Sequence, residues 1–170
     1  MATRRNAREW AISALCAFDL NPPEQIGPAL VDFWHMMEDW ERLSIEEQEH
    51  GACVILTAGD SDAQLAPMKA FAEERIYGVC DKKDELDKLI APFLENWSLY
   101  RLGTIERNVL RMAVWEMRFA KDSVPVPVVI NEAVDLAKYF SATASGRFVN
   151  GVLDKMKSCL TPSAETFTVG

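Results

Sequence analysis

The chain has 170 residues, of which 49% are hydrophobic and 26% are charged, and its formal net charge at pH 7 is −8. This length and composition predict a globular protein with one sizeable core or two small ones. No stretch approaches the roughly 18 uninterrupted apolar residues of a membrane span, so we expect no membrane segment.

The first predicted helix covers about residues 3–20, with an apolar stripe at three- and four-residue steps. A basic head and an apolar run also begin a signal peptide, but Glu9 interrupts the pattern and no small-residue cleavage site precedes Asp19. We therefore expect a cytoplasmic protein. The cysteines are widely spaced and form no C-x-x-C motif, which predicts thiols in a reducing compartment; they are Cys16, Cys53, Cys80 and Cys159.

Three further helical patterns follow before residue 100. A second helix is predicted over about 24–43, and a capping-box pattern at Ser44 suggests a restart. Another apolar stripe runs from Met68 to Val79. Asp81 is the predicted cap of the next helix, whose stripe extends to Trp97.

The carboxyl half predicts three more helices. Thr104 is the expected N-cap of a central helix that ends near residue 119, and Pro127 fits the first turn of a helix that ends near residue 140. A small-residue loop at 141–146 precedes the last helix, and residues 161–170 are expected to be a flexible tail. The order of elements predicts an all-α protein.

The negative charge is concentrated in one segment. Residues 32–62 contain nine acidic residues and one basic residue, whereas the rest of the chain contains 17 of each. Residues 101–157 contain nine basic and six acidic residues. Because binding of nucleic acid depends on local charge more than on the total, a basic surface is compatible with this composition. The acidic segment is interpreted as a solvated face, with a shield or an extra protein contact as alternatives.

Catalytic and metal motifs are missing from the sequence. The two histidines, His35 and His50, do not form H-E-x-x-H, and no glycine-rich phosphate loop occurs. No nucleophile has a recognisable base partner. We therefore predict a protein that is not an enzyme and has no cofactor and no metal site.

Two groups of residues suit binding of nucleic acid. Arg4, Arg5 and Arg8 lie within about one helical turn, and arginine binds phosphates bidentately and stacks on bases. The segment from Ser145 to Arg147 lies at the start of the last helix, where free backbone N–H groups attract anions. Solvated arginines and a simple serine cap are the structural alternatives. Asn131 and Asn150, within apolar helices, are more easily explained as fastening helix ends than as ligands.

Several segments closely resemble the NusB family of transcription antitermination factors. They are Arg4-Arg5-Asn6-Ala7-Arg8-Glu9, Ile105-Glu106-Arg107-Asn108-Val109-Leu110-Arg111, Val129-Ile130-Asn131-Glu132-Ala133-Val134 and Phe148-Val149-Asn150-Gly151-Val152-Leu153-Asp154-Lys155. The resemblance covers residues 3–18 and about 85–157 and is poor over about 20–75.

The resemblance implies two perpendicular three-helix subdomains, about 3–80 and 81–158, within one RNA-binding domain over 1–160. It implies binding of the boxA element of ribosomal RNA together with ribosomal protein NusE, in an antitermination complex with RNA polymerase. The RNA-binding positions implied are Arg4, Arg5, Arg8, Ser145, Gly146, Arg147 and Phe148. The NusE-binding positions implied are Cys16 and Glu106.

The chain departs from the family pattern at three places. Cys16 replaces a common aromatic, Asn6 replaces a frequent arginine, and no acidic residue occurs near Ala144. Two alternatives therefore stay open: the RNA-binding domain of a ribosomal RNA cytosine methyltransferase, or a protein-interaction module without RNA binding. The former would need further chain beyond Gly170. The sequence is compatible with a monomer or a homodimer.

Overall fold

The computed structural model describes residues 1–46, 60–122 and 124–160. These residues form seven α-helices and two short 3₁₀ turns, with no strand among them, which confirms the predicted all-α fold. The chain divides into two compact units, one from Met1 to Asp81 and one from Lys82 onward. Residues 47–59 of the acidic segment and the predicted tail at 161–170 lie outside the described residues.

The first unit contains α1 (Arg4–Leu20), α2 (Ile26–Glu46) and α3 (Asp62–Asp81). Its core is built around Trp10 of α1 and Trp34 of α2, whose rings meet edge to face at 5.9 Å. The indole N–H of Trp34 donates to Glu73 Oε1 at 2.8 Å, which fastens α2 to α3. The backbone N–H of Ala2 donates to the Asp60 carboxylate at 2.6 Å and fixes the start of the chain.

The second unit contains α4 (Lys83–Ile90), α5 (Thr104–Arg118), α6 (Val126–Phe140) and α7 (Thr143–Leu160). Every residue from Asn108 to Glu116 is buried, so α5 is the central helix that its apolar circumference predicts. The buried Arg111 guanidinium forms two hydrogen bonds with the Asp87 carboxylate, at 2.7 and 2.8 Å, and joins α5 to α4. Pro127 lies in the first turn of α6, as predicted.

Three residues predicted as helix caps do not cap a helix. The backbone of α2 continues through Ser44 to Glu46, so no helix restarts there. Asp81 is the last residue of α3, and Lys82 takes the N-cap position of α4. Gly103, with an extended ψ of 150°, is the N-cap of α5, and Thr104 is already helical. A capping residue marks a helix start only where its own backbone leaves the helical region.

The predicted burial of Trp97 is wrong. Helix α4 ends at Ile90 and is followed by a 3₁₀ turn at Ala91–Phe93. Asn96 then adopts a φ of 61°, a left-handed conformation that no right-handed helix can include. The apolar stripe therefore stops before Trp97, which is 58% exposed.

Candidate nucleic-acid interface

The arginine-rich segment begins at a complete capping box. Thr3 is the N-cap of α1: its hydroxyl accepts from the Asn6 backbone N–H, and the Asn6 side chain accepts from the Thr3 backbone N–H at 3.0 Å. This reciprocal pair satisfies backbone donors that would otherwise lack partners at the helix start. Asn6, one of the departures noted in the sequence, therefore stabilises the start of α1 by completing its capping box.

The three arginines of α1 differ in their surroundings. Arg4 is exposed. Arg5 is half-buried, and its Nε lies 3.0 Å from Glu9 Oε1 in an ion pair one turn along the helix. Arg8 is only 4% exposed. The structure therefore leaves Arg4 exposed and Arg5 half-buried, and it buries Arg8.

Three arginine side chains lie close to the ring of Phe71 in α3. The guanidinium carbons of Arg4 and Arg8 lie 5.3 and 5.2 Å from the ring centroid. That of Arg75, a fully buried residue of α3, lies 3.2 Å from the same centroid. An aromatic face attracts cations, so Phe71 offsets part of the cost of arginines at the positive end of α1. Phe71 and Arg75 belong to the predicted helical stripe of α3, and the sequence does not indicate their contact with the arginines of α1.

The second predicted group lies further inside a helix than expected. Helix α7 begins at Thr143, and the backbone N–H of Gly146 donates to the Ala142 carbonyl at 3.2 Å. The Gly146 amide is therefore occupied, and the amides available to an anion are those of residues 143–145. Arg147 is exposed and makes no hydrogen bond or ion pair within the described part of the chain. Phe148 is half-buried.

The carboxylate of Glu106 joins the helices of the second unit. Its Oε1 accepts from the Ser141 hydroxyl at 2.9 Å and from the Ser145 hydroxyl. The side chain also lies directly against Gly103, the N-cap of its own helix, where a Cβ would collide with the carboxylate. Glu106 therefore connects the start of α5 to the end of α6 and to the first turn of α7. This contact brings together a residue predicted to bind NusE and one predicted to bind RNA.

The protonation state of Glu106 follows from these contacts. Burial opposes its ionisation, but donation from Ser145, from its own backbone N–H and from Ser141 outweighs burial and holds its pKa below the ordinary glutamate value. Glu106 is therefore a carboxylate at neutral pH. A carboxylate can accept about four hydrogen bonds, so it keeps acceptor capacity for a further donor.

The remaining residues considered from the sequence are Cys16, Asn131 and Asn150. Cys16 of α1 is half-buried. Asn131 and Asn150 are exposed on α6 and α7, and neither makes a hydrogen bond with the described residues. Their interpretation as fasteners of helix ends is therefore wrong, because their positions face away from the apolar stripes of their helices.

The described residues contain neither a metal-binding cluster nor a membrane-spanning helix. Among residues 1–46, 60–122 and 124–160, no cluster of three or more His, Cys, Asp or Glu side chains is arranged to hold a metal ion. No helix in those ranges combines the length and apolarity that crossing a bilayer requires.

Comparison with known proteins identifies the family. A profile described as the NusB family matches residues 5–158, and the chain therefore belongs to the NusB family. It is 47% identical to the transcription antitermination protein NusB of Geobacillus kaustophilus over 92% of this chain and 97% of that protein. It is 46% identical to NusB of Elusimicrobium minutum over 51% of this chain and 62% of that protein.

A solved structure is similar over nearly the same length. It contains the antitermination factors NusB and NusE in complex with double-stranded RNA, and its matching chain is 28% identical to this one with a TM-score of 0.63. The match covers 92% of this chain and 96% of that chain. The relatives are transcription antitermination factors and not enzymes, which confirms the prediction that this chain is not an enzyme.

Proposed function

We propose that this protein is a cytoplasmic antitermination factor that binds the boxA element of ribosomal RNA transcripts together with ribosomal protein NusE. In this role it is part of an antitermination complex with RNA polymerase. The observation that carries the proposal is the state of two arginines. Arg4 and Arg147 are exposed and have no anionic partner within the described residues, and they occupy the two segments where the family resemblance puts RNA contacts.

The contacts of the arginine segment are divided by exposure. Arg4 supplies the main phosphate contact, because its guanidinium is exposed and is oriented by the Phe71 ring. Arg5 contributes less than Arg4, because it is half-buried and paired with Glu9. Arg8 acts from beneath the surface as a positive charge that holds the segment in place, because burial leaves it little area for direct contact.

The start of α7 supplies the second RNA contact. Arg147 binds phosphate, and the amides of residues 143–145, including Ser145, favour an anion at the positive end of the helix. Gly146 contributes through its lack of a side chain, since its amide is already bonded to Ala142. The half-exposed ring of Phe148 offers a face on which an unpaired base can stack.

NusE is proposed to bind near Cys16 and Glu106. Two hydroxyl donors fix the Glu106 carboxylate in one orientation, so a basic or polar donor of the partner meets a preorganised acceptor. Cys16 contributes a small half-buried contact on α1. A partner that binds both the protein and the RNA raises the apparent RNA affinity, because the second contact becomes intramolecular.

The test is a fluorescence-anisotropy titration of a labelled single-stranded boxA RNA at several salt concentrations. Arg4→Ala and Arg147→Ala should each weaken binding and lower the magnitude of the salt slope by about 0.7, the value expected for one phosphate contact to single-stranded nucleic acid. Arg118→Ala is the matched control, because Arg118 is an exposed arginine in the last turn of α5 and belongs to neither proposed RNA-binding segment. Arg8→Ala is avoided, since removing a buried side chain would perturb folding.

Addition of NusE distinguishes the remaining possibilities. We expect tighter RNA binding with NusE and a loss of that gain in Glu106→Gln. Unchanged affinity and salt slope in both arginine variants would contradict the proposal. Binding of NusE without any RNA affinity would favour a protein-interaction module instead. Sedimentation velocity on the same samples tests whether a homodimer forms.

A further inference from the structure

The side chain of Lys138 lies across Gly146. A Cβ built on Gly146 would be 2.6 Å from Lys138 Cγ, 2.9 Å from Cε and 3.2 Å from Cδ. Three successive carbons of the lysine stem therefore occupy the space that any other residue at position 146 would need. The contact joins the last turn of α6 to the first turns of α7.

This contact explains why a glycine occurs inside α7. Glycine is among the least favourable residues in a helix, and Gly146 has no left-handed φ that would require it. The close approach of the lysine stem is the remaining physical reason. Gly151 of the same helix provides the contrast, since nothing lies within 4 Å of a Cβ at that position.

Lys138 keeps an available charge although its stem packs on Gly146. Lys138 is exposed and makes no ion pair or hydrogen bond within the described residues. Glu106, the acidic residue that joins α5 to the end of α6 and the start of α7, accepts hydrogen bonds from Ser141 and Ser145 instead. Lys138 therefore adds an available positive charge at the first turns of α7, where its stem packs on Gly146, the residue before Arg147 in sequence.

We propose that Lys138 is a further phosphate-binding residue of the RNA surface and that Gly146 is the residue that positions it. The inference rests on the proposed RNA binding at the start of α7. It assigns Gly146 an indirect role: the missing Cβ lets the lysine stem cross the helix. The alternative is structural, because a lysine in the last turn of α6 also stabilises the negative end of that helix.

The test uses the boxA titration with Lys138→Gln, Gly146→Ala and the double variant. One phosphate contact contributes a salt slope of about 0.7, which over the decade between 1 M and 0.1 M salt corresponds to about fivefold in affinity. Lys138→Gln should therefore bind RNA about fivefold more weakly at 0.1 M salt. Gly146→Ala should approach the same loss, and in the Lys138→Gln background it should cause no further loss.

Two variants serve as controls. Gly151→Ala makes the same change in the same helix without displacing a side chain. Lys121→Gln removes the charge of an exposed lysine that is not part of the Lys138–Gly146 contact. Both should bind RNA as the unmodified protein does. Circular dichroism and thermal unfolding of each variant show whether the helices are retained.

The outcomes separate this inference from the proposed function. Wild-type RNA affinity in Lys138→Gln, together with weakened binding in Arg147→Ala, overturns the role of Lys138 and leaves the proposed function standing. An equal loss from Gly146→Ala with or without Lys138 overturns the positioning role of Gly146. If Arg4→Ala and Arg147→Ala also bind normally, the proposed function fails instead.

Discussion

Replacing Ser145 with alanine should reduce the stability of the second unit, because Glu106 joins α5, α6 and α7 partly through Ser145. Ser145 and Ser141 each have one hydroxyl hydrogen, and both hydroxyls donate to Glu106 Oε1. Their own oxygens are 3.0 Å apart, and that contact has no hydrogen left when both donate to the carboxylate. The Ser145→Ala variant removes one of the two hydroxyl hydrogen bonds to the Glu106 carboxylate and leaves Glu106 half-buried.

The expected loss of stability is moderate. A hydrogen bond to a charged group contributes about 1.5–3 kcal/mol. We expect a loss near the lower end, about 1.5 kcal/mol, because Glu106 is only half-buried and solvent can partly replace the lost donor. The pKa of Glu106 should rise, since burial remains while a donor that lowers it is removed.

The pH dependence has a definite sign. Because folding lowers the pKa of Glu106, its contribution to stability is fully present above the pKa of the unfolded chain. That contribution is lost as the pH falls through the lower pKa of the folded state. Ser145→Ala should therefore weaken the acid sensitivity that comes from Glu106.

Urea denaturation at neutral pH and a carbon-13 NMR titration of the Glu106 carboxyl measure these effects. Ser158→Ala is the matched control, because Ser158 is exposed in the same helix and its hydroxyl makes only long contacts, with the Lys155 carbonyl at 3.5 Å and with Cys159 Sγ at 3.9 Å. In a Glu106→Ala background the Ser145→Ala change should cost little. An equal cost in both backgrounds, or an unchanged Glu106 pKa, would refute the reasoning.

Two further predictions concern the arginines. Phe71→Leu should release Arg4 from the ring, an interaction worth about 0.5–1 kcal/mol, and weaken boxA binding roughly two- to fivefold in the anisotropy titration; unchanged affinity in a folded variant would contradict this. Asp87→Asn should destabilise the second unit by about 3 kcal/mol in urea denaturation, because it leaves the Arg111 charge, which is 1% exposed, without its carboxylate. Asp84→Asn, an exposed change in the same helix, should cost far less, and equal losses would argue against the ion pair.

Helix positions were predictable from the sequence, whereas their caps were only partly so. The apolar spacing located α1 and α5 to within a residue or two, because each helix must bury one stripe. The N-cap of α5 was missed because Thr104 looks like the better cap. Gly103 takes that position since the Glu106 side chain folds back over it and leaves no room for a Cβ. That requirement depends on a tertiary contact with α7, which local sequence does not encode.

For Arg8 the helical spacing and the residue type give opposite predictions of burial. Arg8 precedes Ala11 by three residues and Leu15 by seven, and both of these are buried on α1. Arginine is almost never fully buried without a partner, so the residue type predicts exposure where the spacing predicts burial. The partner, the Phe71 ring, comes from another helix more than sixty residues later, and no local pattern in α1 indicates it.

The distribution of available cations limits how strongly this protein can bind RNA by charge alone. Arg5 is paired with Glu9 and Arg8 is buried, so the cations without an anionic partner at the proposed surfaces are Arg4, Lys138 and Arg147. Three phosphate contacts predict a total salt slope near −2, since each contributes about 0.7. A slope of that size gives weak binding at physiological salt, and the net charge of −8 provides no long-range attraction. Tight RNA binding therefore requires stacking on Phe148 or the additional contacts of NusE, and a measured slope much steeper than −2 in the absence of NusE would show that further cations take part.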